Sequence, residues 1–247
     1  MSDNGYTPQP LPARTARAIR ARGPRPVAGD FARWGAGAAV GLPWSIAGGH
    51  GSFDLAGRRY RYLYARHKLT WLTERAVEVP VIQALVDRHP PGRVLEIGNV
   101  LSHYRAQRHL IADRYERADG VLNRDVLELG GLGSFELIVA ISTLEHVGLD
   151  EHPPDPGKAL RAVDVLRGLL GPGGRLVLTV PAGYNPSFAA AIRSGEVPIT
   201  GLAALRREAG QGRWHEVGPE EAWGAPYDFL LYRARAVLFA CVEAART

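Results

Sequence analysis

The sequence has very little cysteine: Cys241 is the only one among 247 residues. A single cysteine excludes an intrachain disulfide and a cysteine-based metal cluster, and it suits a reducing compartment. No apolar run approaches the roughly 18 residues that a membrane-spanning helix needs. The basic N-terminal end has no apolar segment behind it, so a secretory signal is not expected. We therefore expect a cytoplasmic protein with no membrane partner.

Lysine is also scarce, since Lys68 and Lys158 are the only two, and most of the positive charge comes from arginine. The formal net charge is +5, and residues 1–33, with six arginines against two aspartates, supply +4 of it. Because the rest of the chain is nearly neutral, the basicity belongs to one end. We predict a flexible, solvated basic tail over residues 1–30, and binding to nucleic acid is the less favoured interpretation.

Residues 31–90 form an extension with a pattern of its own. Tyr60, Tyr62 and Tyr64 alternate with Arg61 and Leu63 after a turn signal at Ala56-Gly57, which predicts a β-hairpin over residues 52–64. Apolar residues near helical spacing predict one helix over residues 70–88, kinked or split at Pro80. The tyrosines and tryptophans of this extension make it a candidate cover for a substrate site.

From residue 91 to residue 247 the pattern alternates between strands and helices. Strands are predicted at residues 93–98, 109–113, 121–125, 135–142, 174–181 and 235–243, and an amphipathic helix at residues 158–170. Strands that are apolar on both faces and separated by helices indicate a parallel sheet covered on both sides. We assign this segment as the core domain.

The residues that end these strands are the candidates for binding, because an open parallel sheet holds its ligands beyond the carboxyl ends of its strands. Gly98 lets the backbone approach a ligand closely, and a helix start after it offers free N–H groups. Asp113 ends the second strand, at about the spacing where a carboxylate accepts hydrogen bonds from a ribose diol. Asp125 ends the third strand and is placed to accept from an adenine amino group, with Val126 packing on the ring.

Five motifs in order resemble the class I S-adenosylmethionine (SAM)-dependent methyltransferases. They are Val94-Leu-Glu-Ile-Gly98, Asp113, Asp125, Leu144-Glu-His-Val147 and Leu170-Gly-Pro-Gly-Gly-Arg-Leu-Val-Leu-Thr-Val-Pro181. The resemblance covers about residues 75–182 and implies SAM as cofactor. It implies a Rossmann-like, doubly wound, mostly parallel seven-stranded sheet with helices on both faces. It also implies a donor site in which Glu96 and Gly98 line the methionine side, Asp113 holds the ribose, Asp125 and Val126 hold the adenine, and Ser142 to Leu144 pass beside the ligand.

One departure from the family pattern affects the glycine loop. The family usually continues Gly-x-Gly, whereas this chain has Gly98-Asn-Val-Leu-Ser-His-Tyr104. We expect Asn99 to make a contact that glycine cannot. The departure argues more strongly against a nicotinamide dehydrogenase, because a pyrophosphate needs all the glycines of that loop for close approach.

Methyl transfer to a hydroxyl is helped by a general base, and histidine suits neutral pH. His146 is the candidate base because it follows the end of the fourth strand; a packing or capping role is the alternative. The candidates for the substrate pocket are His103, Tyr104, Tyr184, Asn185 and His215. Residues 150–152 carry possible metal ligands, but the prolines around them indicate an ordinary polar loop, so we predict no metal site.

We expect methylation of a small molecule, on a hydroxyl of a sugar or a secondary metabolite. Three alternatives stay open: a nucleic-acid methyltransferase, a nucleotide-binding oxidoreductase and a non-catalytic scaffold with the same fold. The near-neutral core and the absence of an Asn/Asp-Pro-Pro-Tyr/Phe motif count against nucleic acid. Whether the chain forms a homodimer also stays open.

Overall fold

A computed structural model describes residues 10–47, 51–208 and 212–244. The α-helices in these ranges are α1 (Leu11–Arg22), α2 (Pro24–Ile46), α3 (Arg75–Val86), α4 (Lys158–Gly168), α5 (Pro186–Ser194) and α6 (Pro219–Trp223). The strands are β1 (Ser52–Leu55), β2 (Arg58–Arg61), β3 (Val94–Ile97), β4 (Leu110–Ala112), β5 (Val121–Leu122), β6 (Phe135–Ile141), β7 (Leu170–Pro181), β8 (Ile199–Arg207), β9 (Trp214–Val217) and β10 (Ala236–Glu243). Within these described ranges, no helix has both the length and the apolar character to span a bilayer.

Eight strands form the main sheet in the order β5-β4-β3-β6-β7-β10-β8-β9. Strands β5, β4, β3, β6 and β7 run parallel, whereas β10 is antiparallel to β7 and β8, and β9 is antiparallel to β8. The mixed α/β fold agrees with the prediction, but the seven-stranded count was wrong by one. Both β8 and β9 were absent from the six strands predicted from apolar runs, and the four residues of β9 are too few to show a clear alternation.

Helices cover both faces of the parallel strands. Along β6, Leu137 and Val139 pack with Ile82 of α3, while Ile138 packs on the other face with Leu166 of α4. All of these side chains are fully buried. Each such burial contributes about 1.5–3 kcal/mol to stability, which explains why β6 is apolar at every position from Leu137 to Ile141.

The connections at the β5 end of the sheet are shorter than predicted. Residues 98–109, 113–120 and 123–134 contain no α-helix; their helical content is two 3₁₀ turns, at Leu101–His103 and Val126–Glu128. The prediction of a helix start after Gly98 was therefore wrong. The N–H groups of Val100 and Leu101, which a helix start would leave free, donate to Glu96 Oε1 at 2.9 and 2.8 Å. That buried carboxylate completes the turn in place of a helix.

The N-terminal segment is helical where flexible chain was predicted. Of the predicted tail over residues 1–30, residues 1–9 lie outside the described part, and α1 and α2 account for most of the rest. Gly23 separates the two helices with φ +83°, and its N–H donates to Ile19 O at 2.8 Å. Pro24 then starts α2, a position where its missing N–H costs nothing.

Trp71 fixes α2 to the body of the protein. Its Nε1–H donates to Gly37 O at 3.0 Å, and a Cβ atom on Gly41 would lie only 2.0 Å from Trp71 Nε1. Because Gly37 and Gly41 are one helical turn apart, they form one smooth face on which the indole lies.

The hairpin and the helix of the extension are present as predicted, with different limits for the helix. Strands β1 and β2 pair around Ala56-Gly57, and Phe53 packs against Leu205 and Phe239 of the main sheet. Helix α3 runs through Pro80 without a break. The carbonyl of Ala76, which would accept from residue 80 in a regular helix, accepts from Leu63 N–H at 3.0 Å instead.

Candidate functional site

A cavity of about 360 Å³ lies at the carboxyl ends of β3, β4, β5 and β6, and we call it the strand-end cavity. The segments that follow these strands line it, together with residues from the loop before α4 and two cations of the N-terminal extension. The lining includes Ile97 to Val100, Ala112 to Glu116, Arg124 to Val126, Ser142, Thr143, His146, Val147, Asp150, Glu151, Lys68 and Arg75. This is the edge of the sheet where the parallel topology predicts a ligand.

Gly98 forms the floor of the strand-end cavity with backbone alone. Its φ of +82° suits glycine, and its N–H donates to Ala112 O at 2.8 Å. A Cβ atom here would lie 2.5 Å from Thr143 Oγ1, so the loops after β3 and β6 approach each other more closely than any side chain allows.

We expect Gly98→Ala to lower the free energy of unfolding, measured by urea denaturation, by more than the roughly 1–3 kcal/mol of a positive φ alone. The alanine must also displace Thr143. Gly131→Ala is the matched control, because Gly131 has the same φ of +82° and nothing within 4 Å of its Cβ position. Equal losses in the two variants would contradict the close approach.

Asp113 organises the loop at the end of β4. Its Oδ2 accepts from Asn99 N–H at 3.0 Å, and its Oδ1 accepts from the N–H groups of Tyr115 and Glu116, both at 2.8 Å. A carboxylate has about four acceptor positions, so one position on Oδ2 is left for a ligand. The Asn99 side chain donates to Glu116 Oε1 at 2.8 Å and accepts from Ser102 Oγ, contacts that a glycine cannot make.

Asp125 belongs to a closed ring of four charges. Its Oδ2 lies 2.5 Å from Lys158 Nζ and 2.8 Å from Arg114 Nη1, and both cations also pair with Glu151 at 2.7 Å. Burial would raise the pKa of Asp125, but the hydrogen bonds from Lys158 and from Leu127 N–H outweigh it and hold that pKa below 3.8. The ring ties together the loops after β4, β5 and β6, beside the buried side chain of Val126.

Two predicted binding residues lie behind the cavity wall. Glu96 is fully buried, and its Oε2 is 2.8 Å from His109 Nε2 while Oε1 completes the turn at Val100. Leu144 is buried in the apolar core that packs against α4. Neither side chain lines the strand-end cavity, so each shapes the site by supporting a loop.

Ser142 lines the cavity in a strained conformation, with φ +42°. Its Oγ donates to Glu78 Oε1 at 2.5 Å, and Thr179 Oγ1 donates to the same oxygen at 2.7 Å. Arg75 Nη1 donates to Glu78 Oε2 at 3.1 Å and to Ile141 O at 3.0 Å. This buried network fixes the end of β6 and places a guanidinium at the cavity wall.

His146, Asp150 and Tyr184 meet where the strand-end cavity ends. Asp150 Oδ2 accepts from His146 Nδ1 at 2.5 Å and from Tyr184 OH at 2.7 Å, and the rings of His146 and Tyr184 lie 4.4 Å apart. Burial would lower the pKa of His146, but the hydrogen bond to Asp150 and the nearby charge of Glu145 outweigh it and raise that pKa above 6.5. Burial would raise the pKa of Asp150, yet the hydrogen bonds from His146 and Tyr184 hold it below 3.8.

Glu145 is a buried carboxylate that was not among the predicted site residues. It is fully buried, and neither of its oxygens has a hydrogen-bond partner in the described residues. Burial raises the pKa of its carboxyl to about 7. Its Oε1 lies 3.8 Å from His146 Nε2, so both ring nitrogens of His146 face a carboxylate.

A second cavity, of about 580 Å³, adjoins this point, and we call it the α1 cavity. Helix α1 contributes Arg14, Arg17 and Arg22 to it, and the segment before β10 contributes Tyr227, Phe229, Tyr232 and Arg235. Asp150 lines both cavities, and Tyr184 lines the second. The His146–Asp150–Tyr184 cluster therefore lies between them.

The structure resembles those of SAM-dependent methyltransferases. The N-methyltransferase NodS of Bradyrhizobium japonicum, solved with S-adenosyl-L-homocysteine, is 15% identical over 70% of this chain and 88% of its own, with a TM-score of 0.41. A possible histamine N-methyltransferase of Thermotoga maritima is 15% identical over 65% and 86%, with a TM-score of 0.40. A TehB-like methyltransferase of Corynebacterium glutamicum is 17% identical over 68% and 87%, with a TM-score of 0.39.

Comparisons of the sequence itself found no match. Neither a protein-family model nor a curated protein matches this sequence. At the identities and TM-scores of the structural matches, the likeness assigns neither an activity nor a substrate to this chain.

The other predicted substrate residues are not brought to the α1 cavity. Asn185 caps α5, accepting from Phe188 N–H at 3.0 Å, and its Nδ2 donates to Glu145 O at 2.8 Å. His103 stacks on His67, with ring centroids 4.4 Å apart, and Tyr104 lies edge-on to the same ring. Neither they nor Asn185 line either cavity. Asn185 instead holds the backbone at Glu145.

The hairpin of the extension, which was a candidate cover for a substrate site, contributes to neither cavity. No residue of β1 or β2 lines either cavity, and His215 lies on β9, outside both. Residues of α1 and Asp30 of α2, which belong to the predicted tail over residues 1–30, line the α1 cavity instead. Within residues 10–47, 51–208 and 212–244, no group of three or more His, Cys, Asp or Glu side chains is arranged to hold a metal ion.

Proposed function

We propose that this protein is a SAM-dependent methyltransferase that methylates a hydroxyl group of a small molecule. The observation that carries the proposal is the strand-end cavity, which Gly98, Asp113, Asp125 and His146 all line. A nucleoside-binding end and a candidate base thus share one cavity.

The residues present fit SAM. The cavity volume lies within the range of about 300–1,000 Å³ that is usual for small-molecule sites. Asp113 has one acceptor position left for a ribose hydroxyl, and Asp125 Oδ1 accepts a single bond, from Leu127 N–H at 3.0 Å, which leaves a position for an adenine amino group. At the other end, Lys68 and Arg75 supply positive charge for a carboxylate. Glu116, which the sequence analysis did not select, lies beside Asp113 as a second acceptor for the ribose.

When bound, SAM would supply a methyl group that its positive sulfur activates: the acceptor oxygen bonds to the methyl carbon in line, and the sulfur leaves with the electron pair of the S–C bond. The chain has to position the acceptor and take up the hydroxyl proton. Because Asp150 stays ionised, the proton of neutral His146 lies on Nδ1, and Nε2 is the basic nitrogen. As Nε2 takes the proton, the carboxylate of Asp150 stabilises the imidazolium, and the carboxyl of Glu145, 3.8 Å from Nε2, adds to this when it is ionised.

A calorimetric titration with S-adenosylhomocysteine tests the donor site. We expect the wild-type chain to bind it, and Asp113→Asn to bind it about 10- to 150-fold more weakly, because a hydrogen bond to a charged group contributes about 1.5–3 kcal/mol. Asp119→Asn is the matched control, since Asp119 lies in the same connection, is exposed and lines neither cavity.

The outcomes separate the proposal from its alternatives. Equal affinity of the wild type and Asp113→Asn would refute the ribose role of Asp113. A wild-type chain that binds no S-adenosylhomocysteine would refute the proposed function. Stabilisation by NAD(P)H in place of S-adenosylhomocysteine would favour the oxidoreductase.

A further inference from the structure

The α1 cavity holds arginine side chains that the fold does not neutralise. Arg17 and Arg235 line it, and neither forms an ion pair with a carboxylate in the described part of the chain. Arg14 donates from Nη1 to Leu230 O at 2.7 Å, while its Nε is buried without a hydrogen-bond partner. A buried donor without a partner costs about 1–3 kcal/mol, which favours a ligand that can accept from it.

The carboxylates of the same cavity are already engaged. Asp30 pairs with Arg22 at 2.9 Å and with Arg33 at 2.7 Å, and Asp228 pairs with Arg233 at 3.0 Å. Asp150 accepts from His146 and Tyr184. The negative charges are therefore compensated locally, and the positive charges of the cavity remain available to an anion.

Aromatic side chains line the same cavity, and Arg14 Cζ lies 4.3 Å from the centre of the Tyr232 ring. The ring of Tyr227 lies 4.9 Å from the rings of both Tyr184 and Phe229. The Phe229 side chain is 48% exposed, a large apolar surface beside a cavity. Burial raises the pKa of Tyr227, so its hydroxyl stays protonated and carries no charge. Such rings offer a planar ligand a stacking surface.

We propose that the α1 cavity binds the methyl acceptor, and that this acceptor is a small molecule with a planar ring and a phosphate or carboxylate group. The assignment of the ligand as the acceptor rests on the proposed function. Arg14, Arg17 and Arg235 hold the anionic group, because a guanidinium matches both of these anions with two donors. The ring lies against Tyr227 and Phe229. The acceptor hydroxyl reaches past Asp150, the residue that belongs to both cavities, to His146 Nε2.

Calorimetry with three probes tests this proposal on the full chain in the presence of saturating S-adenosylhomocysteine. The probes are phenyl phosphate, benzoate and the uncharged benzyl alcohol. We expect at least one of the two anions to bind and benzyl alcohol not to bind over the same concentration range. The anion that binds more tightly shows whether the acceptor carries a phosphate or a carboxylate. The double variant Arg17→Ala/Arg235→Ala should bind the anion at least about tenfold more weakly, with unchanged affinity for S-adenosylhomocysteine.

Arg20→Ala is the matched control, since Arg20 lies on α1 but lines neither cavity. Equal anion affinity in the double variant and the control overturns the proposal, as does binding of benzyl alcohol as strong as that of the anions. A wild-type chain that binds S-adenosylhomocysteine and neither anion overturns it while the proposed function stands. A chain that binds an anion but no S-adenosylhomocysteine overturns the proposed function and, with it, the acceptor role of the cavity.

Discussion

Replacing His146 by glutamine is expected to lower kcat by about 10²- to 10⁴-fold, the usual contribution of a general base. Glutamine keeps a polar side chain in the loop but cannot take up the proton of the acceptor hydroxyl. The measurement is the release of S-adenosylhomocysteine with a hydroxyl acceptor that the wild type methylates. Affinity for S-adenosylhomocysteine should be unchanged, because the nucleoside end of the cavity is formed by Asp113 and Asp125.

The control for this prediction is His215→Gln, at a histidine whose side chain is 46% exposed on β9, outside both cavities. It should keep the wild-type kcat. A His146→Gln variant that retains more than about a tenth of kcat would show that positioning alone drives the transfer and that the histidine is not the base.

The pH profile gives an independent measurement of the same role. His146 acts as a base only when neutral, and its pKa is raised above 6.5 by the hydrogen bond to Asp150 and the charge of Glu145, against the effect of burial. The wild-type kcat/KM should therefore fall as the pH drops through that raised pKa. In His146→Gln this fall should disappear from the residual activity.

The strand ends of the site were predictable from the sequence. Apolar runs at β3, β4 and β6 end in Gly98, Asp113 and Ser142, and parallel strands bring their carboxyl ends to one edge. The same logic selected Glu96, whose side chain points instead into the core beside His109. The sequence pattern shows where a strand ends, but the direction of a side chain depends on the twist of the strand and on the packing around it.

The α1 cavity was not predictable in the same way. Its wall comes from α1 and from the segment before β10, which are far apart in sequence and meet through contacts such as that of Arg14 with Leu230 O. The helix itself had local signals that could have been used: arginine and alanine favour helices, and Gly23 followed by Pro24 marks an end and a new start. The prediction of a flexible tail relied on the absence of apolar periodicity. That absence follows from the low apolar content of α1, and it did not mean that the segment lacks a helix.

Glu145 was missed because a glutamate between Leu144 and His146 looks like the start of an exposed helix. Only the packing of its neighbours, including Asn185 on its backbone carbonyl, shows that the side chain is fully buried. A buried carboxylate without hydrogen-bond partners lowers stability whenever it is ionised.

Replacing Glu145 by glutamine is therefore expected to change how stability depends on pH. Burial raises the folded-state pKa of Glu145 to about 7, above the value of 4.5 that is ordinary for a glutamate, so the folded chain binds this proton more tightly than the unfolded chain. Its stabilising contribution is present below pH 4.5 and is lost as the pH rises through about 7. The free energy of unfolding, measured by urea denaturation at each pH, should decrease between pH 5 and pH 8.5. We expect this decrease to be up to about 3 kcal/mol larger in the wild type than in Glu145→Gln.

Glu128→Gln is the matched control, since Glu128 is exposed, and its difference from the wild type should be the same at both pH values. Comparing each variant with the wild type at two pH values removes any constant cost of the amide in a buried position. A Glu145→Gln variant with the pH dependence of the wild type would mean that Glu145 is not held protonated by its surroundings. Glu145 would then be ionised throughout this range and would act as a fixed charge on His146.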